Sequence, residues 1–397
     1  MTEAIDQLFV SLKRWIEGFF PEPWRSTISI VLIVVPILVM FGTLFAVATI
    51  LERKGLGRIQ NRYGPNRVGP FGVLQPVADG IKALIKEDVV PYRADKVVHF
   101  LAPIALLVPV LLTFAVLPYG RNMVPVDLNA GVLYFFAVGA GTELAVFMAG
   151  WSSRNKYSLL GAMRAIAQML SYEVPLILSA VTVVMIVGSL STVKIVQAQD
   201  FTVRADGSLG LFPNWFVFTP WGLAGFILFT IAGIAESNRT PFDLPEGESE
   251  IVAGYFLEYS GFKFALFFMA EYFEMFAVSG MAATLFLGGY GAPLSWLTWI
   301  PTWFWFMAKV VAFLALFIWL RGTLPRLRVD QLMNFAWKFM LPMTLINLVA
   351  AAIWHFMGPG LARWFVCAAL LIVPYFWLAH GLGFGKRLTK RTYRYAE

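Results

Sequence analysis

Residues 221–288 read WGLAGFILFTIAGIAESNRTPFDLPEGESEIVAGYFLEYSGFKFALFFMAEYFEMFAVSGMAATLFLG. Two apolar runs of about 20 residues flank an acidic centre, and runs of that length are candidates to cross a bilayer as helices. The centre, residues 236–261, carries Glu236, Asp243, Glu246, Glu248, Glu250 and Glu258 against one base, Arg239. Phe242, Leu244, Ile251, Val252, Tyr255, Phe256 and Leu257 are interleaved with the charges, and Pro241 and Pro245 stiffen the chain. Two readings are open. A charge-rich connector is ordinarily solvated, whereas the interleaved apolar residues point to a folded loop that packs on the bundle and holds carboxylates near the membrane surface.

The same apolar signature recurs along the whole chain. Of 397 residues, 59% are hydrophobic and only 14% are charged. Short alternating segments of the β-barrel type are missing, so the fold class is all-α, a polytopic integral membrane protein. About nine spans are expected, at 27–50, 99–119, 131–151, 161–189, 221–240, 263–288, 302–320, 337–357 and 361–383. The lone Cys367 excludes an internal disulfide and a cysteine-ligated cluster within the chain. His99, His355 and His380 lie far apart in sequence and read as interfacial residues near helix ends, not as metal ligands. The chain is therefore not expected to carry electrons by itself.

Basic residues set the expected orientation, because cytoplasmic loops carry the excess of Lys and Arg. Arg53, Lys54, Arg58, Arg62, Arg67, Lys82, Lys86, Arg93 and Lys96 fill the first loop. Arg154 and Lys156, then Arg321, Arg326 and Arg328, then Lys386, Arg387, Lys390, Arg391 and Arg394 fall on the same side of a nine-span chain. This places the N-terminus in the periplasm and the C-terminus in the cytoplasm. The net charge of +7 reflects these loops and not nucleic-acid binding. Residues 1–26 form an N-terminal segment in which Leu8, Phe9, Leu12, Trp15, Ile16 and Phe19 recur at helical spacing, which suits an amphipathic helix lying on the membrane. It lacks the apolar core and cleavage site of a signal peptide. Residues 27–383 form one transmembrane domain with structured cytoplasmic loops at 52–98 and 236–262, and 384–397 form a basic tail.

In the first loop, Gly64-Pro65 and Gly69-Pro70 mark tight turns. Leu74, Val77, Ala78, Ile81, Leu84 and Ile85 then form one apolar helix face, with Asp79, Lys82 and Lys86 off it. Such a helix either packs on the bundle or lies in the headgroup plane and gates access for a lipid-soluble molecule.

Ionisable residues inside spans are costly and mark function. Glu143 lies in the third expected span, Glu173 in the fourth, Glu271 and Glu274 in the sixth and Lys309 in the seventh, with Arg164 and Gln168 near the cytoplasmic start of the fourth. Structural pairing, for example of Lys309 with a glutamate, accounts for one carboxylate and leaves three. A proton relay accounts for all of them, because desolvation lets a carboxylate change protonation near neutral pH. Glu236 joins this set to the acidic loop. Ala140, Gly141 and Thr142 beside Glu143 allow close helix approach or a file of water, and Pro175 perturbs the helix beside Glu173.

Four stretches carry a resemblance: ERKGLGRIQNRYGPNRVGPFGVLQPVADGIKALIKED at 52–88, GAMRAIAQMLSYEVPL at 161–176, AESNRTPFDLPEGESEIVAGYFLEYSGFKFALFFMAEY at 235–272, and LRGTLPRLRVDQLMNFAWKFMLP at 320–342. All resemble the H subunit of bacterial NADH:quinone oxidoreductase, respiratory complex I, the equivalent of mitochondrial subunit 1. The likeness runs from about Glu52 to Pro342; the first 26 residues and the ninth span are less diagnostic. Nine spans resemble some bacterial members, whereas the mitochondrial form has eight.

The resemblance implies a bacterial inner-membrane subunit that anchors a hydrophilic arm, forms much of the quinone chamber and its entry from lipid, and couples quinone reduction to proton translocation. Arg53, Arg62, Asp79 and Phe242 would border the quinone passage, and Arg321 and Arg326 would lie near its mouth. Glu143, Glu173, Glu236, Glu246, Glu248, Glu250 and Glu271 would form the proton relay; Glu274 lies outside the part of the motif that carries the likeness. The substrate would be ubiquinone or menaquinone, with no FMN or iron–sulfur cluster bound by this chain. Partners would be the iron–sulfur carriers of the quinone module and the small and antiporter-like membrane subunits. Arg58 and Tyr63 depart from the mitochondrial pattern and bear on quinone preference. The alternatives are the membrane subunit of an energy-converting hydrogenase, against which the full first-loop motif argues, a stand-alone carrier, for which no repeat is visible, and a structural anchor, which leaves the intramembrane glutamates without a role.

Overall fold

The computed structural model describes residues 5–203, 209–244, 252–358 and 360–381. A short helix α1 (Leu8–Gly18) leads through Pro21 into α2 (Glu22–Ile59), which at 38 residues is far longer than the apolar run at 27–50 that seeds it. The extension has a local cause. Glu52 to Arg58 continue the helix past the apolar run, and it stops only at Asn61, which adopts a left-handed φ of 56°. Gly57 lets the returning chain close in, since a Cβ there would lie 3.0 Å from both Arg62 O and Gly64 N.

The amphipathic pattern of the first loop forms helix α3 (Gln75–Ile85) as expected, and α4 (Lys96–Thr113) follows, capped by Asp95, whose side chain accepts from the Val98 amide. The third expected span is two helices, α5 (Gly131–Gly139) and α6 (Gly141–Ser152), with Ala140 between them. The small residues at the break serve close approach: a Cβ on Gly141 would sit 3.2 Å from Pro109 of α4. Next comes α7 (Lys156–Val187), which runs through Pro175 and ends on left-handed Gly188.

After α8 (Thr192–Ala198), an antiparallel hairpin, β1 (Phe201–Val203) and β2 (Leu209–Pro213), pairs Phe201 with Pro213 and Val203 with Leu209. The bundle resumes with α9 (Pro220–Glu236), α10 (Gly261–Phe286), α11 (Thr302–Thr323), α12 (Val329–Phe335), one π-turn at Ala336–Met340, α13 (Leu341–Phe356) and α14 (Leu361–Gly381).

Eight helical segments among the described residues are long and apolar enough to cross a bilayer. The remaining expected span, the fifth (221–240), is α9, which has 17 residues and so spans about 25 Å, a little under the hydrocarbon thickness of about 30 Å. Burial ranks the helices: 72% of the apolar window of α10 is buried, against 6% for α2 and 11% for α14. Thus α10 is the core of the bundle, and α2 and α14 are peripheral. Phe41 of α2 reaches the core by stacking on Phe114 at 3.8 Å. Exposed Trp24, Trp296, Trp299 and Trp364 at one end, and Trp151, Trp319, Trp337 and Trp377 at the other, are the aromatic belts of a membrane protein.

The end with the basic loops is the more elaborately built. The short turn Gly254–Phe256 rests on α7 because neither partner has a side chain at the contact: a Cβ on Gly161 would lie 2.6 Å from Gly254 Cα. Ser158 Oγ donates to Tyr255 O beside it, at 2.9 Å. The described flanks of the acidic loop are therefore folded against the bundle, and Val89 N donates to Ser260 Oγ at 2.8 Å, joining the first loop to the same structure. Gly161→Ala is expected to cost about 1–3 kcal/mol through this backbone-to-backbone contact. A thermal unfolding curve of the detergent-purified protein checks it, and an unchanged midpoint would show that the contact is looser than described.

Candidate functional site

The site begins where α2 leaves its apolar run. Glu52 is only 6% exposed, and burying a lone carboxylate is prohibitive unless it is paired. Three elements supply partners. Tyr272 of α10 donates its hydroxyl to Glu52 Oε2 at 2.5 Å, Arg321 in the last turn of α11 donates to Oε1, and Arg239 from the loop after α9 places Nη1 3.7 Å from Oε1. The Arg239 guanidinium also lies over the Tyr272 ring at 4.1 Å. Two guanidiniums thus converge on the Glu52 carboxylate, and Glu52, Arg239, Tyr272 and Arg321 together line a small pocket.

A second ion pair flanks the first. Arg326 Nη2 lies 2.5 Å from Asp243 Oδ2, and Leu327 N donates to Pro241 O at 3.1 Å, so the chain after α11 is tied to the acidic loop. Gln168 of α7 organises that loop from below, its amide nitrogen meeting Ala235 O at 2.7 Å and Phe242 O at 2.6 Å. Phe242 is buried between Tyr172 and Phe335, with ring centroids 5.4 and 6.5 Å away. On the exposed side, Arg53 Nη1 donates to Asp79 Oδ2 at 2.6 Å and thereby joins α2 to α3. Arg62 remains on the exposed loop, where its side chain donates to Gln60.

Behind this cluster the carboxylates converge from four helices. Glu143 of α6 and Glu173 of α7 are in side-chain contact. Glu236, at the end of α9, lies within Coulombic reach of both, and its Oε2 is buried without a hydrogen-bond partner among the described residues. Glu274 of α10 lies within reach of Glu236, Glu271, Glu143 and Arg239. Glu271, 7% exposed, accepts from Tyr255 Oη at 3.1 Å. A line of charge therefore runs from Glu52 through Arg239 to Glu274, and on through Glu236 to Glu173 and Glu143. Glu246, Glu248 and Glu250 lie outside the described residues.

The profile of the NADH dehydrogenase family matches residues 29–352. A protein of Dehalococcoides mccartyi, named as the H subunit of NADH-quinone oxidoreductase, is 50% identical over 332 residues, covering 83% of this chain and 88% of that protein. Proteins of the same name from Carboxydothermus hydrogenoformans and Geobacillus kaustophilus are each 45% identical, over 86% and 87% of this chain and 95% and 100% of their own lengths. The chain belongs to the family of NADH-quinone oxidoreductase H subunits.

Within this member of the H-subunit family, the match contains every residue of the cluster and of the carboxylate line, while α14 lies beyond it. One expectation from the sequence needs correction, and one alternative falls away. Among the described residues Lys309 pairs with no glutamate: its ammonium donates to the carbonyls of Leu287, Gly289 and Gly291 in the turn after α10. His99 is fully buried instead of interfacial, stacked on Tyr259 at 3.9 Å, because the loop before α10 folds over the start of α4.

Sequence reasoning missed Glu52 and Tyr272, noted Gln168 only by its place near the start of the fourth span, and counted Arg239 only as the one base of an acidic loop. A signal for Glu52 was present: it is the first charge after an apolar run, with bases following it. Nothing in the sequence paired it with Arg321, which is 269 positions away. Glu52→Gln removes the carboxylate that two guanidiniums share, and a loss of about 3–5 kcal/mol is expected. Tyr272→Phe, which removes one hydrogen bond, is expected to cost about 1–2 kcal/mol. Thermal unfolding in detergent measures both, and equal effects for the two variants would contradict this reading of the cluster.

Proposed function

We propose that this chain is the membrane subunit that walls the quinone chamber of an NADH:quinone oxidoreductase and couples quinone reduction to proton translocation through its buried carboxylates. The observation that carries the proposal is the succession of ionisable side chains, each within Coulombic reach of the next, from the Glu52–Arg239–Arg321 cluster at the base of the loops to Glu143 and Glu173 inside the bundle.

The chemistry requires such a line. Reduction of a quinone takes two electrons and two protons to give the quinol, and electrons arriving ahead of protons place negative charge on the quinone head. The electrons come from iron–sulfur carriers in partner subunits. The Arg321 guanidinium attracts that charge, and Arg321, Arg326, Arg53 and Asp79 stand on the side from which a lipid-soluble head approaches. A change of one unit of charge there is felt along the line, since two charges about 5 Å apart interact by about 3 kcal/mol at an effective dielectric of 20. Glu143 and Glu173, facing each other, are best satisfied by one shared proton, because a carboxylate can only accept a hydrogen bond and its neighbour must then donate one. Adding or withdrawing charge at the Glu52 end therefore shifts where protons reside at the other.

The basic loops favour a cytoplasmic position for the Glu52 end and residence in the inner membrane of a bacterium. The hydrophilic arm would dock there, and the small and antiporter-like subunits would continue the line beyond Glu143. The test uses the intact complex. Glu236→Gln and Glu271→Gln are each expected to lower quinone-linked turnover or pumping by at least about tenfold, with NADH oxidation by an artificial acceptor unchanged. Wild-type turnover and pumping stoichiometry in both variants would end the relay proposal.

A further inference from the structure

A second cavity, of about 380 Å³, opens at the other end of the bundle from Glu52. It lies between the end of α10 at Phe286 and the start of α11 at Thr302, the outer limits of two membrane-crossing helices. That level is the headgroup layer, which with its opposite number thickens a bilayer from about 30 Å to about 40–45 Å. Thr298 and Ile300 line the cavity, and Trp296 and Trp299 beside them are 64% and 62% exposed, at the aromatic belt.

The N-terminal segment closes one wall. Asp6 is 9% exposed, and its Oδ1 accepts from Thr302 N at 2.7 Å and from Thr302 Oγ1 at 2.6 Å. Gln7 Nε2 donates to Arg121 O at 3.0 Å, so the start of the chain is tied to the loop after α4. Residues 1–28 lie outside the match to the family.

The cavity is lined by charges of both signs. Asp6, Asp200 and Arg121 all face it, and all three lie within Coulombic reach of the Tyr290 phenol on the same wall. Yet none of the three forms an ion pair among the described residues. Two carboxylates and a guanidinium are therefore held around one space without closing on one another. Trp305 also lines it, and its Nε1 is buried with no hydrogen-bond partner among the described residues. Lys309, behind the turn after α10, does not line the cavity, and its three N–H groups go to the carbonyls of Leu287, Gly289 and Gly291.

A ligand that satisfies this lining carries both charges. Carboxylates only accept hydrogen bonds, so they select a cation with N–H donors, whereas a quaternary ammonium has none to give. A guanidinium and an indole N–H only donate, and a phosphate only accepts. We propose that this cavity binds the headgroup of a zwitterionic, primary-amine phospholipid of the phosphatidylethanolamine type, its ammonium at Asp6 and Asp200 and its phosphate at Arg121 and Trp305 Nε1. The lipid would belong to the leaflet opposite the Glu52 end, and the N-terminal segment would be the part of the chain that completes its site.

The experiment places the intact complex in proteoliposomes containing a photoreactive lipid. Three probes share the same acyl chains and reactive group and differ only in headgroup: phosphatidylethanolamine, phosphatidylcholine and phosphatidylglycerol. Labelled peptides are mapped by mass spectrometry. The ethanolamine probe is expected to label the stretch 287–305 at least about fivefold more than either of the others. Asp200 and Arg121 are exposed, and Asp200→Asn and Arg121→Gln are each expected to abolish that preference while labelling of lipid-facing α14 is unchanged. Glycerophosphoethanolamine, the headgroup without chains, is expected to leave the labelling in place. Equal labelling by all three probes overturns the proposal, as does a preference that survives both substitutions. A preference for phosphatidylglycerol overturns it in favour of an anionic lipid held by Arg121. Full displacement by glycerophosphoethanolamine overturns it in favour of a soluble ligand, and no labelling of 287–305 by any probe shows that a neighbouring subunit covers the cavity instead.

Discussion

The Glu52 carboxylate cannot be buried alone, and the architecture of the whole inner end follows from how it is matched. Three partners arrive from α10, α11 and the loop after α9, so four elements meet at one carboxyl group. Pairing of this kind contributes little net stability compared with a well-packed apolar core, but losing one partner strands the others. Its value is positional. The ends of α2 and α11 and the start of the acidic loop are held in one arrangement, and the Arg326–Asp243 pair and the Gln168 amide repeat the same tie on either side.

The bundle treats its charges in three ways. At the loop end, carboxylates are matched by guanidiniums and a phenol. In the middle, Glu143, Glu173, Glu236, Glu271 and Glu274 face one another with few bases among them, which favours shared protons over fixed charges. At the far end, a lysine is held by backbone dipoles and an aromatic face. Position along the bundle thus sorts the ionisable groups by partner: guanidiniums and a phenol at one end, other carboxylates in the middle, and backbone carbonyls with an indole at the other.

The spans were legible because about 20 apolar residues in succession have few other fates, and the amphipathic helix α3 was legible because its period is local. The intramembrane glutamates announced themselves by their cost. What the sequence hid depends on long-range meeting. Glu52 and Arg321 each look like ordinary charges at the rim of an apolar run, and only the crossing of α2 and α11 makes them a pair. Lys309 invited a glutamate partner because carboxylates were the obvious counter-charges, but the glycine-rich turn after α10 supplies carbonyls instead. The break at Ala140 was invisible because it does not interrupt the apolar pattern, whereas the hairpin pairing Phe201 with Pro213 had a local signal, Asp206-Gly207 between its two strands, that the reading of the spans passed over. Glu274, set apart from the motif, lies in the middle of the carboxylate line because it is one turn from Glu271 on α10.

The length of α2 has a mechanical consequence. At 38 residues it is about 57 Å long, nearly twice the hydrocarbon thickness of about 30 Å. Pro36 removes one backbone donor part-way along. Between it and Glu52, Phe41, Leu44 and Ala48 are the helix's buried positions, so one narrow face carries both the apolar grip on the core and, about 24 Å beyond the proline, the carboxylate of the charged cluster. The rest of the helix surface is left to the lipid, and α2 acts as a strut whose seating in the core fixes the height of Glu52.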